Sequence, residues 1–262
     1  MKLGIISAKD NRKAEELSQK ISNYLKEKGH EILSGSELKG SEAIFVVGGD
    51  GTLLHSACAN VELDVPFIGI NRGTLGFLTA VEGGDWQKIV EKVLSGNLAV
   101  SEGMTIEAEL NGKNYRAINE IVVKSAYRVV KLEIIVNDQK FLSISGDGVI
   151  VSTQMGSTAY SLSSGGPIVD HEIDSMLITP ISAHGLPIPS VVISPKDRVT
   201  IKILEGNDVS LVIDGQDHTK VEKGQNIRVS QGKYRVKFGY LDKHHFLKAL
   251  NVKFGLASRL NS

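Results

Sequence analysis

At 262 residues and 41% hydrophobic, the chain is long enough to bury one full core or two smaller ones. Its 30 basic and 30 acidic side chains cancel, which argues against the broad basic surface that holds nucleic acid. One cysteine, Cys58, no apolar run near the ~20 residues that span a bilayer, and an N-terminal MKLGIIS that runs into charge point to a cytoplasmic protein without a membrane partner.

Leu3 to Ser7 reads as a first strand. Ala14, Leu17, Ile21, Tyr24 and Leu25 then recur at helical spacing, with Gly29 as a stop. The run 43–47, AIFVV, is continuous and apolar, as for a strand buried on both faces. A glycine turn leads into a helix over 53–60, a strand over 65–70 and a helix over 86–94. This alternation predicts a parallel sheet flanked by helices.

Near residue 104 the pattern changes. A run over 106–110, then Asn111-Gly112, then a run from Tyr115 signals a hairpin. Further strand-like runs cover 117–123, 131–136, 149–152, 199–204, 209–213 and 234–238. The expectation is an α/β fold with a domain at 1–100, a mostly antiparallel β domain at 101–239, and a helical tail at 240–262 packing back on the first.

Four constellations could carry chemistry. Gly48-Gly49-Asp50-Gly51-Thr52 lies between a buried strand and a helix, where glycines bring N–H groups close to phosphate oxygens and the helix dipole adds positive potential. Asp50 there could accept a proton from an attacking hydroxyl or help hold Mg²⁺. An Asp-capped turn would explain one glycine, not three around a carboxylate at a strand's carboxyl end. The Walker lysine is absent, which excludes that class of phosphate binder. The second loop, 71–77 (NRGTLGF), leaves the next strand on the same expected edge, with Asn71, Gly73 and Arg72 as phosphate candidates. It reads equally well as a turn whose Leu75 and Phe77 plug the core.

Asn119-Glu120 interrupts an apolar strand and is either a ligand-facing pair or a bulge. Gly146-Asp147-Gly148 and the hydroxyl-rich run 152–167 follow; the run suits sugar and purine recognition, with Tyr160 as a stacking face, or else is a long surface loop. Asp214-Gly215-Gln216 is first of all a hairpin turn. His55 either points toward Asp50 or caps the surface, Cys58 reads as core, and His244-His245 reads as solvated tail. The seven histidines show no metal spacing.

In order and approximate spacing, GGDGT, INRGTLGFL, AINEIVV, GDGVIVSTQMGSTAYSLSSGGPIV, ITPISAH and IDGQ resemble an NAD kinase, and the likeness runs on to FLKALNVKFGL. GGDGT alone also marks phosphofructokinases and lipid kinases; the long GSTAYSLSSGGP segment with its upstream Asn-Glu pair is far more specific. The resemblance implies a Rossmann-like N-terminal domain, a C-terminal β domain that forms homodimers or homotetramers, and phosphorylation of the adenosine 2′-hydroxyl of NAD. ATP with Mg²⁺ or another divalent metal would be the donor, with other nucleoside triphosphates or polyphosphate as further candidates, and no metal ligand is assigned to the protein.

By the same resemblance Asp50 would be the proton acceptor, with Gly51 and His55 near the dinucleotide. Asn119, Glu120, Asp147, Thr158, Ala159, Tyr160 and Ser163 would complete the NAD pocket, with Ser182 and Gln216 at its rim. Gly48, Gly49, Asn71 and Gly73 would hold the phosphate donor. The chain departs from the family pattern at Gln154-Met155 (usually Pro-Thr), Gly103 (usually Arg), Ser145 (often basic) and after His184, where an Arg is missing. Two other readings stand beside this one: a lipid or sugar kinase sharing only the GGDGT loop, and a non-catalytic dinucleotide sensor.

Overall fold

Asn11 starts the first helix by accepting the Ala14 N–H on its side-chain oxygen at 3.1 Å, and Gly29 ends that region in a left-handed conformation (φ +81°). The structure, a computed structural model, describes residues 1–71, 73, 76–185 and 188–255, with Asp217 and His218 as backbone alone. The chain divides into two compact units, Met1–Glu102 with Val236–Ser262, and Gly103–Arg235.

In the first unit the elements are β1 (Lys2–Ser7), α1 (Arg12–Glu27), β2 (Glu31–Leu33), β3 (Ala43–Val47), α2 (Asp50–Ala59), β4 (Pro66–Asn71), β5 (Val81–Glu82) and α3 (Trp86–Leu94). β3 lies between β1 and β4, all parallel, with β2 beyond β1 and Lys237 and Phe238 of the last strand beside β4. Every residue of β3 is buried, as the unbroken apolar run predicts. The helix expected from residue 53 begins earlier, at Asp50. Gly49 caps it in an extended conformation, so Asp50, Gly51 and Thr52 form its first turn instead of a preceding loop.

The second unit continues with β6 (Ala99–Leu110), β7 (Lys113–Ala117), β8 (Glu120–Ser125), β9 (Val130–Val136), β10 (Gln139–Gly146), β11 (Gly148–Thr153), α4 (Tyr160–Ser163), β12 (Met176–Ile181), β13 (Val191–Ile193), β14 (Val199–Glu205), β15 (Val209–Ile213) and β16 (Asp217–Val221). β17 (Asn226–Tyr240) runs from this unit into the first, where α5 (His245–Phe254) follows. Asn111 and Gly112 are both left-handed, as a two-residue hairpin between β6 and β7 requires.

One antiparallel sheet of this unit has the order β13-β12-β11-β8-β15-β16. Its inner face (Ile121, Val123, Val149, Val151, Ile178, Leu211) packs on Leu132, Ile134, Ile201 and Val229 from β9, β14 and β17. Its other face, Val122, Ile150, Ile181 and Val212, is covered by Tyr160. Both faces are therefore apolar, and the α/β plus antiparallel-β architecture expected from the sequence is present. Among the described residues no helix is long and apolar enough to cross a membrane.

Candidate functional site

The two glycine-rich loops leave adjacent parallel strands and are tied together by backbone and side chain. Gly48 N–H donates to the Ile70 carbonyl at 3.0 Å. The Asp50 carboxylate accepts from the second loop on both oxygens, Phe77 N–H at 2.8 Å and Thr79 N–H at 3.0 Å. Gly76 makes this fit possible, because a Cβ there would lie 1.9 Å from Asp50 Oδ1. Asn71 Oδ1 accepts the Gly73 N–H at 3.1 Å and shapes the start of the same loop. Arg72 and Leu75 lie outside the described residues. Phe77 is half-buried, its ring 6.1 Å from that of Phe254. Asp50 and Gly49 are half-buried, Gly51 is exposed, and His55 and Cys58 are half-buried on α2.

Behind this loop sits His245, which corrects its reading as solvated tail. It is 7% exposed, stacks on Tyr240 at 4.1 Å, and is hydrogen-bonded to the Phe77 backbone. Burial pushes its imidazole down to about 4, against the opposing pull of the Phe77 bond and of Asp242 and Asp50. His244 is exposed.

In the β unit the strand expected over 117–123 is broken. β7 ends at Ala117 and β8 starts at Glu120, so Ile118 and Asn119 form a corner between strands of different sheets. The corner is gripped from two sides. The Asp214 carboxylate accepts the N–H groups of Ile118 (2.9 Å), Asn119 (2.8 Å) and Glu120 (3.0 Å), while Asp214 N–H donates to the Glu120 carbonyl at 3.0 Å. Opposite, Thr153 Oγ1 donates to the Ile118 carbonyl at 2.6 Å and Thr153 N–H to the Asn119 carbonyl at 2.9 Å. Gly156 passes so close that a Cβ would lie 2.1 Å from the Asn119 carbonyl oxygen. A buried N–H left unpaired costs about 1–3 kcal/mol, so a carboxylate satisfying three of them dictates the local backbone.

The corner leaves polar atoms open. Asn119 Oδ1 and Glu120 Oε2 are buried without a hydrogen-bond partner among the described residues. Burial pushes the Glu120 carboxyl up to about 8, the Asp214 charge adds to this, and the Tyr160 backbone N–H pulls the other way.

The hydroxyl-rich run 152–167 is not a surface loop. It forms a tight turn at Met155–Thr158 followed by α4, and Ser152, Thr153, Ser157 and Ser161 are buried. Ser157 Oγ donates to the Val169 carbonyl and accepts the Val169 N–H; Ser161 Oγ pairs with Thr179 Oγ1 at 2.9 Å. Those hydroxyls hold the turn. Thr158, Ala159 and Tyr160 remain half-buried and Ser163 exposed. Tyr160 and the exposed Asp147 line a cavity of about 470 Å³ with Lys124, Arg128 and Ile181, and the Lys124 ammonium lies 5.5 Å from the Tyr160 ring centre. Ser182, left-handed at φ +47°, and Gln216 are both exposed.

The α/β unit thus holds Gly48, Gly49, Asp50, Gly51, His55, Asn71 and Gly73, and the β unit holds Asn119, Glu120, Asp147, Thr158, Ala159, Tyr160, Ser163, Ser182 and Gln216. Two departures from the family pattern are one packing event: a Cβ on Gly103 would meet the Met155 Cε at 2.5 Å. Gln154 donates to Asp174 at 3.0 Å, and the Asp174 carboxylate also accepts from both terminal nitrogens of the Arg235 guanidinium. Sequence reasoning missed the contacts by which Asp214, Thr153 and Gly156 build the 118–120 corner, and Lys124 and Arg128 as cavity residues. Asp214 stood in plain view, but Asp-Gly between two strand runs reads as a turn.

The ATP-NAD kinase N-terminal domain matches residues 39–98, and the ATP-NAD kinase C-terminal domain matches 118–240. An NAD kinase of Fusobacterium nucleatum is 34% identical over 258 residues, 97% of each chain. The chain belongs to the NAD kinase family. Enzymes of this family phosphorylate NAD to NADP. An NAD kinase of Clostridium botulinum strain 657 is 37% identical over 254 residues, covering 94% of this chain and 89% of its own. The fold is also that of yeast NADH kinase complexed with NADH (TM-score 0.87, 21% identity, 98% and 88% coverage). An Archaeoglobus fulgidus NAD kinase in complex with ATP shares it too (TM-score 0.80, 24% identity, 96% and 98% coverage).

Proposed function

We propose that in the family's reaction Asp50 takes the proton from the adenosine 2′-hydroxyl of NAD as that oxygen attacks the γ-phosphorus of ATP. The bond from phosphorus to the ADP oxygen breaks, and NADP and ADP leave. The observation that carries this is the Asp50 carboxylate, fixed on both oxygens by backbone N–H groups where two glycine-rich loops leave neighbouring parallel strands. Those two bonds leave a second lone pair on each oxygen for the substrate hydroxyl. Gly51 and His55 serve the dinucleotide, and Gly48, Gly49, Asn71 and Gly73 serve the donor phosphates.

The divalent ion, Mg²⁺ first, comes with the nucleotide. Asp50 keeps a lone pair free on each oxygen and is the residue that would stand beside such an ion. When bound it neutralises charge on the phosphoryl group. Most of the remaining rate comes from positioning and from backbone N–H groups.

In the β unit Asn119 and Glu120 take ribose hydroxyls, and Asp147, Thr158, Ala159, Tyr160 and Ser163 complete the NAD pocket, with Ser182 and Gln216 at its rim. Asn119 Oδ1 and Glu120 Oε2, buried without a partner among the described residues, support this, since such an atom is costly until a ligand supplies one. The enzyme works in the cytoplasm as a homodimer or homotetramer, as the family resemblance implies. The test is purified protein with Mg²⁺, NAD and, in turn, ATP, other nucleoside triphosphates and polyphosphate, read by coupled reduction to NADPH. NADP accumulates with ATP, and the preparation has two or four times the chain mass. Absence of NADP with every donor overturns the reading, and a monomer overturns the assembly.

A further inference from the structure

The Asp214 turn does more than reverse the chain. The β6–β7 hairpin closes on Asn111 and Gly112 in the same left-handed conformation, so such a turn does not by itself need a carboxylate. All three bonds that the Asp214 side chain accepts from Ile118, Asn119 and Glu120 leave the turn for a segment 94 to 96 residues upstream. With Asp214 N–H returning to the Glu120 carbonyl, the 118–120 backbone has no freedom to rotate its side chains away. Asp214 is 9% exposed, so water competes little for these N–H groups.

We propose that Asp214 is the positioning residue of the dinucleotide site: its carboxylate sets the 118–120 corner so that Asn119 and Glu120 present their side chains to the NAD ribose. This rests on the reading that those two residues contact NAD. Asp214 touches no substrate and acts through the backbone it holds. Its charge has a second effect, because a carboxylate beside Glu120 favours the neutral form of that buried acid, which can donate as well as accept. Facing Glu120 are Asp214 from the β15–β16 turn and the Tyr160 N–H from α4.

The variant is Asp214→Asn, which keeps one acceptor oxygen and the left-handed preference but loses the charge. Asp214→Ala strands three buried N–H groups and risks misfolding. In Asp214→Asn the KM for NAD rises about tenfold, and the KM for ATP moves far less. The break in the NAD KM–pH profile moves to lower pH, as Glu120 loses its anionic neighbour. A residue that only stabilised the fold would lower Tm and leave that profile in place. Glu120→Gln, run alongside, tests the reading beneath: it raises the KM for NAD and abolishes the break. If Glu120→Gln behaves so while Asp214→Asn keeps the wild-type KM and profile, Asp214 has no positioning role. If Glu120→Gln leaves the KM for NAD unchanged, the assignment of Glu120 fails, and the role of Asp214 with it.

Discussion

Both units are organised around hydrogen bonds from backbone N–H groups to a carboxylate, with the roles exchanged. In the α/β unit the backbone of the second glycine loop holds still the Asp50 carboxylate, the group proposed to react. In the β unit the Asp214 carboxylate holds the backbone still, and the groups proposed to meet substrate are side chains on that backbone. The first arrangement depends on absent atoms, since Gly76 must lack a Cβ. The second depends on a present side chain. They fail to different mutations for that reason.

The largest expected effect comes from breaking the first arrangement sterically. In Gly76→Ala the new methyl would overlap Asp50, so the carboxylate must swing away, and kcat should fall at least ~100-fold with NAD still bound. A Gly76→Ala enzyme with near-normal kcat would mean that the position of Asp50 does not matter.

A smaller effect separates the units by pH. His245 is held neutral in the fold, so the unfolded chain binds the extra proton between 6.5 and about 4, and stability is lost as pH falls through that window. The full loss is about 3 kcal/mol, an upper figure for a group that can relax toward solvent. Glu120 acts oppositely: it keeps its proton in the fold up to about 8, so stability is lost as pH rises from 4.5 toward 8. Tm measured against pH should show both limbs. His245→Phe, which keeps the stacking on Tyr240, should flatten only the acid limb and Glu120→Gln only the alkaline one. Equal effects of either variant on both limbs would remove the pH contrast between the units.

The same contrast decides what was legible in the sequence. A candidate site made by glycines at the ends of buried strands announces itself, because three glycines around Asp50 after AIFVV have few other uses. The strand runs were legible too, since a sheet with Val122 and Ile150 on one face and Val123 and Val151 on the other cannot alternate with polar residues. The grip on Asn119 and Glu120 was not. Asp214 lies 94 residues beyond Glu120, and no local pattern links a turn to a strand end so far away. Within the 152–167 run the sequence could not separate hydroxyls that hold the turn from those left open: Ser157 and Ser161 are buried because each finds an internal partner. The coupling of Met155 to Gly103 is likewise a contact across 52 positions, visible only once the strands are folded.

Asp50→Asn, assayed twice on one preparation, separates a proton acceptor at this position from a structural cap. NAD affinity is measured by calorimetry and turnover by the coupled NADPH readout. With Asp50 as the acceptor, NAD binding stays within about threefold of wild type and kcat falls at least ~100-fold, the range expected for loss of a general base. A variant that binds NAD and still turns over at near the wild-type rate would contradict it.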